Sequence, residues 1–185
     1  MKVYLAGPEV FYADFAALSD RRKALARAAG FTPSGPGSDQ DKLDDAEITG
    51  LSIYRNNLQM MQGADLCIAN LTPFRGPAAD PGTVWEMGYL TGRGIPVFAF
   101  SFEPRDYRDR IEAWAGETAT EAGDGLLRLS DGIMVENHGM SDNLMMEGSL
   151  MDAGTPFVRA APGETEDSVL KRVFALAAET LGVSA

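Results

Sequence analysis

The chain of 185 residues is poor in several of the features that commonly carry function. It holds one cysteine and one histidine, so no internal disulfide can form and no Cys/His metal spacing is present. Basic side chains number 16 against 27 acidic ones, for a formal charge of -11. Such a surface repels polyanions and argues against nucleic-acid polymers as partners, whereas a neutral small molecule is not penalised. No apolar run approaches the roughly 20 residues of a membrane span. There is no G-x-x-x-x-G-K-[ST] phosphate loop, no Ser-His-Asp set in a supporting order, no internal repeat and no low-complexity segment. The lone Cys67 lies in an apolar run and reads as a small buried hydrophobe, compatible with a reducing compartment. The lone His138 reads as a structural or solvated loop residue rather than a general base. Strand-like residues begin at Lys2, which leaves no room for a signal peptide, and a cytoplasmic protein is expected.

What is present is an α/β pattern. The apolar fraction of 45% is ordinary for a globular protein, and one domain over residues 1–185 is the expectation. Short apolar runs at 3–6, 66–71 and 95–100 read as buried parallel strands. Between and after them, helical periodicity is predicted over 11–29, stopped by Gly30, over 48–62, over 105–114 and over 164–181. Residues 32–50 are polar and glycine-rich, and Asp39, Asp41, Asp44 and Asp45 make this stretch either a solvated acidic loop or a lid. The segments 126–129 and 132–135 are candidate short strands, 117–124 reads as an exposed insertion, and Ser141 or Asp142 is expected to cap a short helix.

The stretch 63–94 is the most informative. An apolar strand ends in a loop with three prolines, and a helix follows from about Gly82. Asp80 and Glu86 thereby fall where a strand hands over to a helix, the position at which open α/β sheets build their sites. Two readings of Glu86 stand side by side. Thr83-Val84-Trp85-Glu86 fits a capping box, in which Glu86 merely closes the helix start. Alternatively Glu86 is a reactive carboxylate in the first helical turn, kept ionised by the helix dipole. Asp80 is equally open between a turn-forming and a chemical role. Phe11, in the turn Gly7-Pro8-Glu9-Val10-Phe11, faces either a planar ligand or its own helix. Arg75 reads as a loop-organising residue rather than a phosphate ligand.

Four segments taken together are similar to the nucleoside 2-deoxyribosyltransferase family. They are Tyr4-Leu5-Ala6-Gly7-Pro8, residues 64–76, Asp80-Pro81-Gly82-Thr83-Val84-Trp85-Glu86-Met87-Gly88-Tyr89, and Asp142-Asn143-Leu144-Met145. The D-x-G-T-x-x-E-x-G block is the most specific of them. The resemblance implies a flavodoxin-like three-layer α/β sandwich with a mainly parallel five-stranded sheet. It implies an enzyme that cleaves the N-glycosidic bond of 2'-deoxynucleosides and passes the sugar to a free nucleobase. By that resemblance Glu86 is the nucleophile, Tyr4 positions it, and Asp80 contacts sugar or base. Asn143 is supplied from a neighbouring subunit of a homo-oligomer, a dimer or a multiple of dimers, and Gly7, Phe11, Asn57 and Gly82 join the substrate-binding set. Where some members carry an aspartate that protonates the leaving base, this chain has Asn57. The proton then comes from Asp80, from Asp44 or Asp45, or from water.

The residue types suit that chemistry in their own right. A carboxylate beneath the sugar stabilises an oxocarbenium-like state and then bonds to the anomeric carbon, and two inversions give net retention. No metal or redox cofactor is required. Two alternatives remain open: a hydrolase acting on deoxynucleosides or their 5'-monophosphates, and a noncatalytic nucleoside-binding domain.

Overall fold

The computed structural model describes residues 1–36 and 49–183. Strand β1 (Lys2–Ala6) leads through a 3-10 turn (Pro8–Phe11) into helix α1 (Phe15–Ala28), then strand β2 (Thr32–Ser34). Helix α2 (Gly50–Gln62) precedes β3 (Leu66–Asn70), α3 (Pro81–Gly92) and β4 (Val97–Ser101). Helix α4 (Tyr107–Ala115), a short antiparallel pair β5 (Thr120–Glu121) and β6 (Leu127–Arg128), helix α5 (Leu144–Ala153), β7 (Phe157–Arg159) and α6 (Glu166–Leu181) complete the chain.

The main sheet has five strands in the order β2-β1-β3-β4-β7, with all neighbours parallel. This is the three-layer α/β architecture expected. The chain moves outward from β1 to β2 on one side and starts again at β3 on the other, so the topological switch point lies between β1 and β3. Ligand crevices open there, beyond the carboxyl ends of the strands.

Strand alternation divides the interior into two cores. Val3, Leu5, Leu66, Ile68, Phe98 and Phe100 point to one face, where they meet Val169, Val173 and Phe174 of α6 and Ala26 of α1. Each buried large side chain there contributes about 1.5–3 kcal/mol. The opposite face presents Tyr4, Ala6, Cys67, Ala69 and Ala99 to Met60, Met61, Met87 and Leu90. Apart from Tyr4 these strand side chains are small. Helix α3 can therefore lie close on the sheet, and it is the helix that carries Glu86.

Several local expectations are corrected. The predicted helix over 11–29 begins only at Phe15, because the chain first makes the 3-10 turn, in which Tyr12 N–H donates to Glu9 O at 3.1 Å. Its end is as expected: Gly30 takes the left-handed conformation (φ 83°) and Phe31 N–H returns to Ala26 O at 2.9 Å. Strands β2 and β7 were not foreseen, since three residues show no readable period. Neither Ser141 nor Asp142 caps α5. Asn143 does, accepting from Met145 N–H at 3.1 Å. The acidic stretch Asp39–Asp45 lies outside the described residues.

Candidate active site

The carboxyl ends of β1 and β3 and the start of α3 converge on one carboxylate. Tyr4, fully buried in β1 on the α3 side, donates its hydroxyl to Glu86 Oε1 at 2.6 Å. The helix does not begin where the capping box placed it. Asp80 is the N-cap, its Oδ2 accepting from Thr83 N–H at 2.8 Å and from Thr83 Oγ1 at 2.9 Å, with Pro81 as the first helical residue. Glu86 is consequently in the second turn, beyond the usual reach of the helix dipole, and performs no capping. With Thr83, Met87 and Leu90 buried at helical spacing, Glu86 lies along the core-facing stripe.

The expectation that the dipole keeps Glu86 ionised is also overturned. Burial pushes its pKa from 4.5 up to about 7. The Tyr4 hydrogen bond and the charge of Arg22 work downward, while the charges of Asp80 and Glu9 add to the rise. Near neutral pH the group is balanced between acid and carboxylate, a poise suited to both nucleophilic and proton-transfer roles.

Asp80 is 7% exposed, and its duties as cap occupy Oδ2. Gly82 is the second residue of α3, where an added Cβ would lie 3.1 Å from Asp80 Oδ2. The loop before Asp80 is anchored from elsewhere in the chain. Asp142 Oδ2 accepts from Ala79 N–H at 3.0 Å and from Arg110 Nη2 at 3.1 Å, both of these charged side chains being 2% exposed. Asn143 follows Asp142 directly; its amide nitrogen donates to Glu136 Oε1 at 2.6 Å within the same chain. Beside it Leu144 and Met145 are exposed, Met145 at 72%.

Phe11 is exposed. It stacks on Phe74 across the two switch-point loops, with centroids 5.1 Å apart. Arg75, the one non-glycine residue with positive φ among those described (54°), lays its guanidinium 4.9 Å from the centre of Phe74 and 5.3 Å from that of Phe11. Those contacts hold its left-handed backbone, which makes it loop-organising as read. Asn57 is half-buried on α2, three residues after Tyr54, whose ring meets Trp85 edge-on at 5.7 Å. Burial pushes the Cys67 thiol up, as suits an inert core residue.

Two charged groups here escaped the sequence reading. Arg22 and Glu9 are 5% and 7% exposed and pair at 2.6 Å. The legible signal was Arg22 itself, which falls between Leu18 and Ala26 on the inward stripe of a predicted helix, where a charge requires a partner. Gly7 takes its meaning from this pair: a Cβ there would stand 2.0 Å from Glu9 Oε2.

The structure holds a carboxylate bonded by a phenol at the switch point of its parallel sheet, and the family match places the protein among pentosyltransferases and N-glycosidases, α/β enzymes that act on glycosidic bonds. Within that class the chain belongs to the nucleoside 2-deoxyribosyltransferase family, whose model matches residues 3–145. An uncharacterized protein of Schizosaccharomyces pombe is 32% identical over 164 residues, covering 82% of this chain and 78% of the relative. The structure of a 2-desoxiribosyltransferase from Leishmania mexicana superposes with a TM-score of 0.60 at 29% identity, over 78% of this chain and 84% of that one. A conserved protein from Enterococcus faecalis shares the fold, with a TM-score of 0.58 at 17% identity over 94% of this chain and 96% of its own. Among the described residues no helix is long and apolar enough to cross a membrane, and no cluster of three or more His, Cys, Asp and Glu side chains could hold a metal ion.

Proposed function

We propose that this protein transfers the 2-deoxyribosyl group of 2'-deoxynucleosides between nucleobases, with Glu86 as the nucleophile. The observation that carries the reading is the 2.6 Å hydrogen bond from Tyr4 to a half-buried carboxylate whose pKa stands at about 7. Tyr4 engages Oε1, which fixes the rotamer and leaves Oε2 to face the sugar. As the bond from C1' to the base nitrogen lengthens, the ionised Glu86 stabilises the positive charge at C1'. It then forms an ester as the base departs with its bonding electrons and a proton. A second base attacks C1' from the side the first one left, regenerating the carboxylate with net retention. Without a 2'-hydroxyl the cationic state is reached more easily, so ribonucleosides react more slowly.

Asp80 contacts the sugar or base through the oxygen that capping leaves over, and is the first choice for protonating the leaving base, because Asn57 can donate a hydrogen bond but not a proton. Phe11, stacked on Phe74, offers an exposed ring to the base, and Gly7 and Gly82 join the substrate-binding set as the small residues beside Glu9 and Asp80. In this reading a second copy contributes Asn143, and the exposed Leu144 and Met145 beside it supply apolar surface for that contact. The products and substrates are small and uncharged, and the work is that of nucleoside salvage in the cytoplasm.

The test is incubation with 2'-deoxyinosine, with and without adenine, followed by chromatography of bases and sugars. Formation of 2'-deoxyadenosine supports transfer. Hypoxanthine and free deoxyribose in both incubations would assign a hydrolase instead. Ligand binding without turnover, for pyrimidine donors and 5'-monophosphates as well, would leave a noncatalytic binding domain.

A further inference from the structure

The pair of buried charges at the switch point has no part in the proposed chemistry, yet it bonds to β1 and β3 and, through Asn70 and Thr72, is linked to the backbone beyond β4. Arg22 Nη2 donates to Ala6 O at 3.0 Å and to Ile68 O at 3.3 Å, so one guanidinium joins the carboxyl end of β1 to the middle of β3. Glu9 closes the other side: Oε2 meets Arg22 Nη1 at 2.6 Å and Oε1 accepts from Asn70 Nδ2 at 2.8 Å. Asn70 Oδ1 in turn accepts from Thr72 N–H at 3.0 Å and Thr72 Oγ1 at 2.6 Å, and Thr72 Oγ1 accepts from Phe102 N–H at 3.0 Å, beyond β4.

Stability alone does not explain such an arrangement, because a buried ion pair is often no better than apolar residues of equal volume. What it supplies is register between two loops. One carries Phe11 and follows Tyr4; the other carries Phe74 and Arg75 and ends at Asp80. The tight turn at Gly7 shows how closely the backbone is wrapped on the pair, since a single Cβ there would collide with Glu9.

We infer that Glu9 is a positioning residue for this site: gripped between Arg22 and Asn70, it locks the turn after β1 to the loop after β3, and with Arg22 it sets the charge balance behind Glu86. The inference rests on the reading of Glu86 as the nucleophile. The charged or titratable groups around Glu86 are Tyr4 and Cys67 from β1 and β3, Asp80 from the start of α3, Arg22 from α1 and Glu9 from the turn. Only Glu9 and Arg22 are charged among those outside the chemistry.

Glu9→Gln tests it with almost no change of shape. Loss of the anion leaves Arg22 uncompensated, so the acid limb of kcat/KM against pH should move to lower pH, by about half a unit or more. KM should also rise several-fold as the two loops lose their tie. Asn70→Ser removes the amide bridge without altering charge; it should raise KM several-fold and leave the limb in place. A merely structural role would lower thermal stability in both variants with the limb unmoved and KM as in the parent, and that result overturns the inference. The carboxyl signal of Glu86 in protein labelled with [13Cδ]glutamate, identified by its loss in Glu86→Gln, supplies a readout without turnover. If no substrate reacts but this signal titrates at lower pH in Glu9→Gln, the charge balance stands and the transferase reading fails. If turnover is normal and the signal is unmoved, the inference fails alone.

Discussion

Replacing Glu86 by glutamine is expected to abolish turnover and, at alkaline pH, to stabilise the fold. In the folded chain its pKa rises from 4.5 to about 7. A group raised in this way favours the folded state fully below its unfolded pKa, and that advantage is lost as pH climbs from 4.5 through 7. The span is about 2.5 pH units, which at 1.36 kcal/mol per unit makes ionised Glu86 cost the fold about 3 kcal/mol above neutrality. Glutamine never ionises and can still accept the Tyr4 hydroxyl. Its amide hydrogens need partners, which sets a constant penalty of about 1–3 kcal/mol against the gain. That penalty cancels when two pH values are compared. Urea unfolding of both proteins at about pH 5.5 and about pH 8.5 should show the stability of Glu86→Gln relative to the parent increasing by roughly 2 kcal/mol between them. A difference independent of pH would mean that Glu86 is not a strained, desolvated acid, and the account of its reactivity would fall with it. In the transfer assay the same variant should lose several orders of magnitude of kcat.

Three further substitutions separate roles that the site combines. Tyr4→Phe removes the hydrogen bond that favours the ionised form of Glu86, so the acid limb of kcat/KM should move to higher pH, with about a 10- to 100-fold loss of kcat; an unmoved limb would count against the pairing. Asp80→Asn keeps a good helix cap whereas Asp80→Ala loses about 1 kcal/mol. Thermal unfolding should therefore distinguish the two, while the transfer assay should find both impaired if Asp80 serves the chemistry. Gly7→Ala forces the Glu9–Arg22 pair apart, and a loss of about 3–5 kcal/mol is expected in urea unfolding, as for other broken buried pairs; a near-neutral result would show that the turn can move.

Much of this was legible residue by residue. The apolar runs at 66–71 and 95–100 overlap β3 and β4, and the spacing of Val169, Val173 and Ala177 on α6 matches its buried face. The segment from Asp80 to Tyr89 stood out as the candidate site because a carboxylate after a stiff loop is conspicuous. Its details were less legible. Thr83 and Glu86 satisfy the capping-box pattern, but Asp80 stands three residues before Thr83 and competes for the same amide; it won because Pro81 is pre-shaped for the first helical position. Local pattern cannot rank two caps without knowing where the preceding loop is tied, and that tie comes from Asp142, far along the chain.

The sequence by itself determined the alternation of strands and helices and the apolar character of β1, β3 and β4, and it singled out Asp80 and Glu86 as candidates. These depend on period, residue size and order, which are local properties. Tertiary structure alone decided the state of Glu86 and the frame around it. The pKa of Glu86 follows from what covers it, from the Tyr4 hydrogen bond, and from the charges of Asp80, Arg22 and Glu9, and the bonds from Arg22 to Ala6 and Ile68 exist only because parallel pairing sets the two strands side by side. Desolvation and charge act through space, and distance in space is set by packing rather than by position along the chain.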